Sequence, residues 1–430
     1  MKRHLIALMG ALAVLLALGS GVAQAQSVQG VDQTALTGQS ASSTANSTQT
    51  NPSNSNISVR IFSPGSAGSV SQSNTSAAGA AAINKAATIQ GAAQSQSGSG
   101  EQGVGQTAGT GQHADATANS TQDHPSNSNI SVRIGSPGSD GDVSQSNTSV
   151  AGAIAGNKAA TVQGVEQNQG GGDKCGCHGS GNGVQAVGQE AGTLQGAKSD
   201  ATSEQSHPSN DNTSVRIGSP DSDKPAKVDG GSGSVNQSNN SGALSLAGNV
   251  AGTAQLVGQS QDGCGCGGDK VQAVGQKAIT GQWSDANATS KQKGASNSNT
   301  PVRIDSPGSD GNVSQSNNSA ALAAAVNAAK TIQGVDQSQG GGCGCREPKN
   351  SSHDGGAGAG VQAVGQWAET WQKADGNATS EQWYPSNSNT PVRDKKSPGG
   401  GGSVDQSNTS LAGALSLNLA GTLQWVHQAQ

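Results

Sequence analysis

Three Cys-Gly-Cys pairs are the residues of this sequence best suited to covalent chemistry. Each pair lies in a Gly-rich stretch: Cys175 with Cys177, Cys264 with Cys266, and Cys343 with Cys345. In an exported protein thiols are normally oxidised, so disulfides between neighbouring pairs are the first interpretation. Two pairs together also offer four thiolates, with His178 beside the first pair, so metal binding is the alternative.

Tryptophans form a second group of candidate binding residues. All five lie in the last part of the chain: Trp283, Trp367, Trp371, Trp383 and Trp425. Exposed aromatic side chains can bind glycans or another subunit. The alternative is that they pack locally as a C-terminal cap.

No arrangement of residues predicts catalysis. The histidines His113, His124, His207 and His427 occupy unrelated positions, and no nucleophile and base stand in a known motif. The net charge of −5 is spread thinly, without the basic stripe of a nucleic-acid binder. We therefore expect neither an enzyme nor a cofactor, and no nucleic-acid partner.

The elements that position these residues are five copies of one unit. An arginine anchors each copy: Arg60, Arg133, Arg216, Arg303 and Arg393. Three glutamines precede each arginine at constant spacing: Gln33, Gln39, Gln49; Gln106, Gln112, Gln122; Gln189, Gln195, Gln205; Gln276, Gln282, Gln292; and Gln366, Gln372, Gln382. Such internal repetition is typical of stacked architectures.

A second block follows each arginine and is equally regular. It contains a glutamine, an asparagine and a further glutamine: Gln72, Asn84, Gln90; Gln145, Asn157, Gln163; Gln237, Asn249, Gln255; Gln315, Asn327, Gln333; and Gln406, Asn418, Gln424. Length varies only in a Ser-Pro turn after the arginine and in the Gly-rich joint between copies. The predicted repeats are 26–100, 101–178, 179–268, 269–355 and 356–430.

A secretory signal peptide is predicted at residues 1–25. Lys2 and Arg3 precede an apolar run from Leu5 to Leu18, and a small-residue cleavage site ends at Ala25. An uncleaved membrane anchor is the alternative. No later segment approaches the ~20 apolar residues of a spanning helix, so we expect no membrane contact after cleavage.

The period inside the blocks is two, which is the period of β-strands. Aromatic residues are only 2% of the chain, and in the first copy the face between the repeated positions is too poor in apolar residues to form a core. The repeated Gln, Asn, Ala, Ser and Thr face is therefore the predicted interior. Buried amides are tolerated there only if identical residues stack at ~4.8 Å and bond to one another. The predicted fold is all-β, a solenoid or stacked β-arches with Asn/Gln ladders, and each block should bend into two or more strands because strands usually span ~3–10 residues.

The arginines share the parity of Asn54 and Asn56 in their strand. Five stacked buried cations would repel one another, so this part of the strand should face solvent or pair with carboxylates of the following turns. Those turns contain Asp140, Asp142, Asp221, Asp223 and Asp310. A solvated charged turn is favoured over a calcium loop, because the first copy has Ser66 and Ser69 there.

Each second block ends in Asn-x-Ala-x-x-x-Gln, for example Asn84, Ala86 and Gln90. This stretch resembles the second half of the curlin repeat, the strand-turn-strand unit of bacterial curli fibres. The first half of that repeat is absent, and the unit here is about three times longer. The resemblance implies a secreted subunit whose Gln and Asn ladders pack a cross-β fibre.

Together these features predict a secreted structural repeat protein of the cell surface or extracellular matrix that associates with itself. The first alternative is a β-solenoid adhesin that binds glycans or surface components through its Trp-bearing copies. The second is a disordered cell-wall spacer.

Overall fold

The computed structural model describes residues 27–97, 100–170, 183–218, 233–262, 269–340, 360–397 and 399–429. Within these ranges the chain is all-β, and none of its segments forms a helix that could cross a membrane. The proposed signal peptide lies outside the described residues.

Each copy contributes a long strand, a short strand and a second long strand. In chain order they are β1 (Ser27–Thr50), β2 (Ser53–Ile61), β3 (Val70–Ser97), β4 (Gly100–Asp123), β5 (Ser126–Ile134), β6 (Val143–Gly170), β7 (Gly183–Ser206), β8 (Ser209–Ile217), β9 (Val235–Asp262), β10 (Lys270–Lys293), β11 (Ser296–Ile304), β12 (Val313–Gln339), β13 (Gly360–Trp383), β14 (Ser386–Asn389), β15 (Val392–Arg393) and β16 (Val404–Ala429). The short strand of the fifth copy is divided into β14 and β15.

Equivalent strands stack into three parallel sheets. Sheet A has the order β1-β4-β7-β10-β13, sheet B the order β2-β5-β8-β11-β14 with β15 also on β11, and sheet C the order β3-β6-β9-β12-β16. The register is that of the sequence repeat, so Gln106 lies between Gln33 and Gln189. Identical residues therefore stand above one another, as the predicted ladders require.

Sheets A and C pack face to face, and their strands run in opposite directions. Along the stack, each strand of one sheet lies at a level between two strands of the other, an offset of half a strand spacing. Gln195 of β7 donates to the Val250 carbonyl in the same copy, whereas Gln163 of β6 donates to the Glu190 carbonyl in the next copy. Sheet B continues sheet A and covers the start of sheet C, where Asn54 donates to the Ser73 carbonyl. The stack consequently begins with β1 and ends with β16.

Small residues fill the space between the sheets. Alanines form the central cluster, including Ala114, Ala116 and Ala118, which are 0% exposed. Valines pack together near the strand ends, where Val104, Val165 and Val187 meet. Because alanine is short, the two sheets can approach closely enough for side-chain amides to reach the opposite backbone.

The prediction that each block bends into two or more strands is wrong. β6 runs unbroken over 28 residues, and the first block breaks only after its last glutamine. At that break one residue per copy has a positive φ, at Asn51, His124, His207, Gly294 and Tyr384. His124 and His207 are therefore at equivalent positions, contrary to the expectation from sequence, and their rings stack with centroids 4.8 Å apart. Within the blocks the described residues all keep strand geometry, because identical neighbours on both sides hold each strand in register and no left-handed residue interrupts it.

Candidate functional site

The repeated polar face is the interior face, as the period-two pattern predicts. Gln145, Gln163 and Gln205 are at most 1% exposed, and their neighbours along the strand point outward. All the predicted ladder residues lie on the described strands. Each is hydrogen-bonded to its equivalent in an adjacent copy, as in the pair Gln189 Nε2 and Gln106 Oε1 at 2.9 Å.

The amide ladders have a direction. Interior glutamines donate to the preceding copy: Gln112 Nε2 to Gln39 Oε1 at 2.8 Å and Gln195 Nε2 to Gln112 Oε1 at 2.7 Å. Interior asparagines donate to the following copy, with Asn157 Nδ2 to Asn249 Oδ1 at 2.8 Å. Every internal joint of a ladder therefore joins an amide donor to an amide acceptor.

The second N–H of the buried amides is also used. Gln255 Nε2 donates to the Lys277 carbonyl at 3.1 Å, and Asn249 Nδ2 donates to the Trp283 carbonyl at 2.7 Å. A carbonyl oxygen has two lone pairs, so it accepts this bond beside its bond in the sheet. These bonds tie the two layers together and remove the cost of burying an amide, about 1–3 kcal/mol for each unpaired group.

Sequence reasoning missed further ladders of the same kind. Asn54, Asn56 and Asn74 each begin a ladder across the copies, and so do Gln29 and Gln94. Asn127 joins two of them, because its Nδ2 donates both to Asn210 Oδ1 at 2.8 Å and to Asn147 Oδ1 at 3.1 Å in the facing sheet. The signal that could have revealed them was again a constant spacing, from the arginine for Gln29, Asn54 and Asn56 and from the glutamines of the second block for Asn74 and Gln94.

Of the two expectations for the arginines, solvent exposure is wrong and pairing with turn carboxylates is right for the three central copies. Arg133, Arg216 and Arg303 are 1% exposed. Asp140 accepts from Arg133 Nε at 2.7 Å and lies 3.7 Å from Arg216 Nε. Each such carboxylate thus lies between the arginines of two adjacent copies.

The fourth and fifth copies repeat this arrangement. Asp310 accepts from Arg303 Nε at 2.9 Å and pairs with Arg393 Nη2 at 2.7 Å. Burial, with the charge of Arg216 adding to it, lowers the pKa of Arg303 from its usual value. The carboxylate offsets this cost, which explains how arginines can stack inside the protein.

The prediction of solvated charged turns is wrong for Asp140 and Asp310, which are 8% exposed, and holds for the exposed Asp142. Asp221 and Asp223 lie outside the described residues. Among the residues that the structure does describe, no group of three or more His, Cys, Asp or Glu side chains could hold a metal ion.

A glycine in each described turn lets the arginines reach the neighbouring copy. Arg133 Nη1 donates to the Gly65 carbonyl at 2.8 Å, and Arg393 Nη1 donates to the Gly308 carbonyl at 3.0 Å. Gly138 has a φ of 125°, and a Cβ placed there would lie 2.3 Å from the Gly65 oxygen. Only glycine fits this turn.

The tryptophans do not form one cluster. Trp283, Trp367, Trp371 and Trp383 lie on the outer face of sheet A, whereas Trp425 lies on the outer face of sheet C. They are 41–57% exposed. Trp283 lies over Gly196 of the preceding copy, and the Lys277 ammonium is 5.2 Å from the centre of the Trp367 ring.

The three Cys-Gly-Cys pairs and the neighbouring histidine lie outside the described residues. They are Cys175, Cys177, Cys264, Cys266, Cys343, Cys345 and His178. Disulfide formation between the pairs therefore stays a prediction, and so does its alternative, metal binding by the thiolates. The described strands that flank these joints, such as β6 before Cys175 and Cys177, are stacked with their equivalents in the adjacent copies.

Both ends of the stack are open. Among the described strands, β1, β2 and β3 have a partner on one side only, and so do β13, β14 and β16. Because of the half-step offset, the inner face of β16 is uncovered: Ala412 is exposed, while its equivalent Ala321 is 0% exposed. The described stack thus presents, at β16, an unpaired copy of its own internal interface.

Comparison with known proteins gives no relative: no family model, no curated protein and no solved structure matches this chain.

Proposed function

We propose that this protein is an extracellular structural subunit that stacks end to end, in one direction, into a cross-β fibre. The observation that carries the proposal is the pair of open ends, which are the two halves of the joint that holds adjacent copies together inside the chain. Exposed strand edges of this length are strong templates for pairing with another chain. Export is supported by the signal-like segment at residues 1–25, and a fibre role by the resemblance of Asn-x-Ala-x-x-x-Gln to the curlin repeat.

The two ends are complementary in hydrogen bonding. At the fifth copy the glutamine Oε1 atoms are unmatched acceptors within their ladders, while the first copy has Gln33, Gln39 and Gln49 with no preceding equivalent to receive their donors. In the asparagine ladders the donors are unmatched at the fifth copy and the acceptors are unmatched at the first. Head-to-tail contact therefore satisfies both kinds of ladder, whereas head-to-head contact opposes like groups. A heterologous contact of this kind produces an open filament.

The turns after the arginines are also compatible with head-to-tail contact between molecules. Inside the chain, Arg133 reaches the Gly65 carbonyl of the preceding copy and Arg393 reaches that of Gly308. In a head-to-tail joint, Arg60 of one molecule stands in the same relation to Gly399 of the molecule before it.

Ala412→Lys tests the joint. The side chain is exposed in the isolated chain, so the folded subunit should keep its stability, but in a fibre the ammonium would replace an alanine that is fully buried in the internal copies. We expect the unaltered protein to give fibres with a 4.7–4.8 Å reflection along the fibre axis and the variant to stay soluble and folded by circular dichroism.

The matched control is Thr409→Lys, which adds the same charge to the same strand on its outward face. Fibres should still form with this variant. Absence of the reflection under all assembly conditions, or normal fibres from Ala412→Lys, would exclude the proposed joint.

Glycan binding is a second candidate function. Trp367 and Trp371 lie four residues apart on one strand and are 53% and 57% exposed on the outer face of sheet A. Replacing both by alanine should abolish retention on a polysaccharide column if this face binds glycans, while fibre formation should be unaffected. No observation in the described residues favours the disordered spacer.

A further inference from the structure

The outer face of sheet C is a broad, mainly apolar surface. We call it the plate and define it as the eight outward columns that start at Ala77, Gly79, Ala81, Ile83, Lys85, Ala87, Ile89 and Gly91 and continue through all five copies. Apart from Lys85, Lys158 and Lys330, the plate consists only of Ala, Gly, Val, Leu, Ile and one Trp. Its leucines, such as Leu244 at 42% and Leu322 at 48%, are exposed.

The opposite surface of the molecule is different in kind. The outer face of sheet A carries charged side chains in several columns, among them Glu190 and Lys277, whose charged groups are 3.1 Å apart, and Lys198, whose pKa is raised by Asp200. The plate is therefore a property of one side and not of the composition as a whole. Contiguous apolar patches of this size mark interaction surfaces.

In the second and third copies, side-chain sizes on the plate follow a pattern that reverses about the Asn84 ladder, whereas the other copies also contain like-sized pairs, such as Leu417 with Leu419. In the third copy, positions equidistant from Asn249 always combine a large and a small residue: Gly248 with Val250, Leu246 with Gly252, Leu244 with Ala254, and Gly242 with Leu256. The second copy does the same about Asn157: Gly156 with Lys158, Ile154 with Ala160, Gly152 with Val162, and Val150 with Gly164.

The chain itself does not need these small residues. A Cβ added at Gly152, Gly164 or Gly252 would meet nothing within 4 Å. None of the three has a positive φ. Glycine inside a strand is unfavourable because of its backbone entropy, so its use at open positions calls for a reason outside the molecule.

We infer that the plate binds the plate of a second molecule of this chain, with a two-fold axis that runs along the stacking direction over the Asn84 ladder. This axis reverses the strand direction and, in the second and third copies, brings each large residue opposite its small counterpart in the same copy of the partner. Leu246 of each molecule then lies against Gly252 of the other. The axis also keeps both stacks pointing the same way, so the pair is compatible with one-directional fibre growth.

The shape and area of the plate support this occupant. A groove of about 470 Å³ crosses the last three copies and is lined by Val250, Ala328, Leu419, Gly421 and Leu423, with Lys330 as its one charged residue. The two-fold axis places the ridge that contains Leu246 and Leu415 opposite this groove. Fourteen residue steps and five strand spacings give a plate of ~1,100 Å², which exceeds the ~800 Å² per partner of a stable interface.

A size exchange tests the pairing without adding charge. Gly252→Leu places two large side chains opposite each other and should abolish pairing, whereas the double variant Leu246→Gly/Gly252→Leu exchanges the sizes and should restore it. Gly188→Leu is the matched control, because it lies on the outer face of sheet A in the same copy and also has nothing within 4 Å of an added Cβ.

The measurement is mass per length of the fibres by dark-field electron microscopy. One chain occupies ~24 Å of a stack of five strands, so we expect two chains per ~24 Å for the unaltered protein, the control and the double variant. Gly252→Leu should halve this value. One chain per ~24 Å in the unaltered protein, or no change in Gly252→Leu, overturns the inference.

The inference deepens the proposed function but can fail separately from it. If no fibres form, the proposed function fails, and the same four proteins are compared in solution by sedimentation. Dimers that Gly252→Leu dissociates and the double variant restores then support the plate contact, while a monomeric unaltered protein at ~100 µM rejects it, since an interface of this area is expected to be tighter.

Discussion

The amide ladders and the arginine column are two solutions to the same problem, the burial of polar groups that recur in every copy. In the ladders Gln112 lies between Gln39 and Gln195, and each amide both donates and accepts. In the arginine column, Arg133 and Arg216 are equally buried, but a carboxylate of Asp140 lies between them. The first arrangement uses one residue type and the second requires two.

The difference follows from the hydrogen-bonding groups of the side chains. An amide has donors and acceptors, so identical copies satisfy one another when they are stacked. A guanidinium has five donors and no acceptor, and identical copies repel. Repetition alone therefore stabilises a neutral ladder, whereas a charged column is stable only where the sequence departs from repetition, as at Asp140 and Asp310.

The largest expected effect is at the carboxylate that serves two arginines. Asp140→Asn keeps the shape of the side chain but removes the carboxylate that pairs with the buried Arg133 and lies beside the buried Arg216. Breaking a buried ion pair in this way costs about 3–5 kcal/mol. We expect a loss of that size in the free energy of unfolding, measured by chemical denaturation. Asp336→Asn, at an exposed position on sheet C, is the control and should change stability by less than ~0.5 kcal/mol. Equal effects from the two variants would contradict the assigned role of Asp140.

A central ladder residue should matter less than Asp140 and more than a terminal one. Gln195→Ala leaves Gln112 Oε1 without its donor and Gln282 Nε2 without its acceptor, for an expected loss of about 2–4 kcal/mol. Gln39→Ala, at the end of the same ladder, leaves only the Gln112 donor unmatched and should cost about half as much. Chemical denaturation of the two variants gives the ratio of their losses in the free energy of unfolding. An equal loss at both positions would show that a ladder glutamine does not stabilise the protein through its bonds to the glutamines of both adjacent copies.

The smallest effect is a gain. Ala67 occupies the first-copy position that is equivalent to Asp140, and Arg60 has no carboxylate partner among the described ion pairs. Ala67→Asp should extend the column by one carboxylate and raise the free energy of unfolding by about 1 kcal/mol. The gain should diminish in 1 M salt, where the Debye length falls to ~3 Å. A loss of stability would mean that the first copy does not tolerate the charged form of the turn.

The repeated residues predicted the main architecture correctly because their constraint is local and periodic. Fixed spacing identified the Gln33, Gln39 and Gln49 ladders, and period two identified the buried face. The length of the strands could not be predicted from the ~3–10 residues that are usual in other proteins. Those strands belong to twisted sheets in which side chains differ from one strand to the next. Here neighbouring strands are nearly identical, so β6 gains the same support along its whole length.

The burial of the arginines was also not predictable, but the reason is different. Their repulsion was correctly anticipated from Arg133 and its equivalents, but its relief depends on a turn whose sequence varies between copies. Asp140 and Asp310 are seven residues after their own arginines, yet each also reaches the arginine of the following copy. Such a contact between copies is visible only once the register of the stack is known.

The opposed directions of the glutamine and asparagine ladders have an electrical consequence. Backbone peptide dipoles alternate along a strand and largely cancel along the stack. Side-chain amides that point the same way in every copy do not cancel, so the glutamine ladders add up as the peptides of a helix do. The asparagine ladders, concentrated where sheet B covers sheet C, oppose them. Each end of the molecule is therefore a mosaic of partial charges of both signs, and the first end carries the inverse of the pattern on the last.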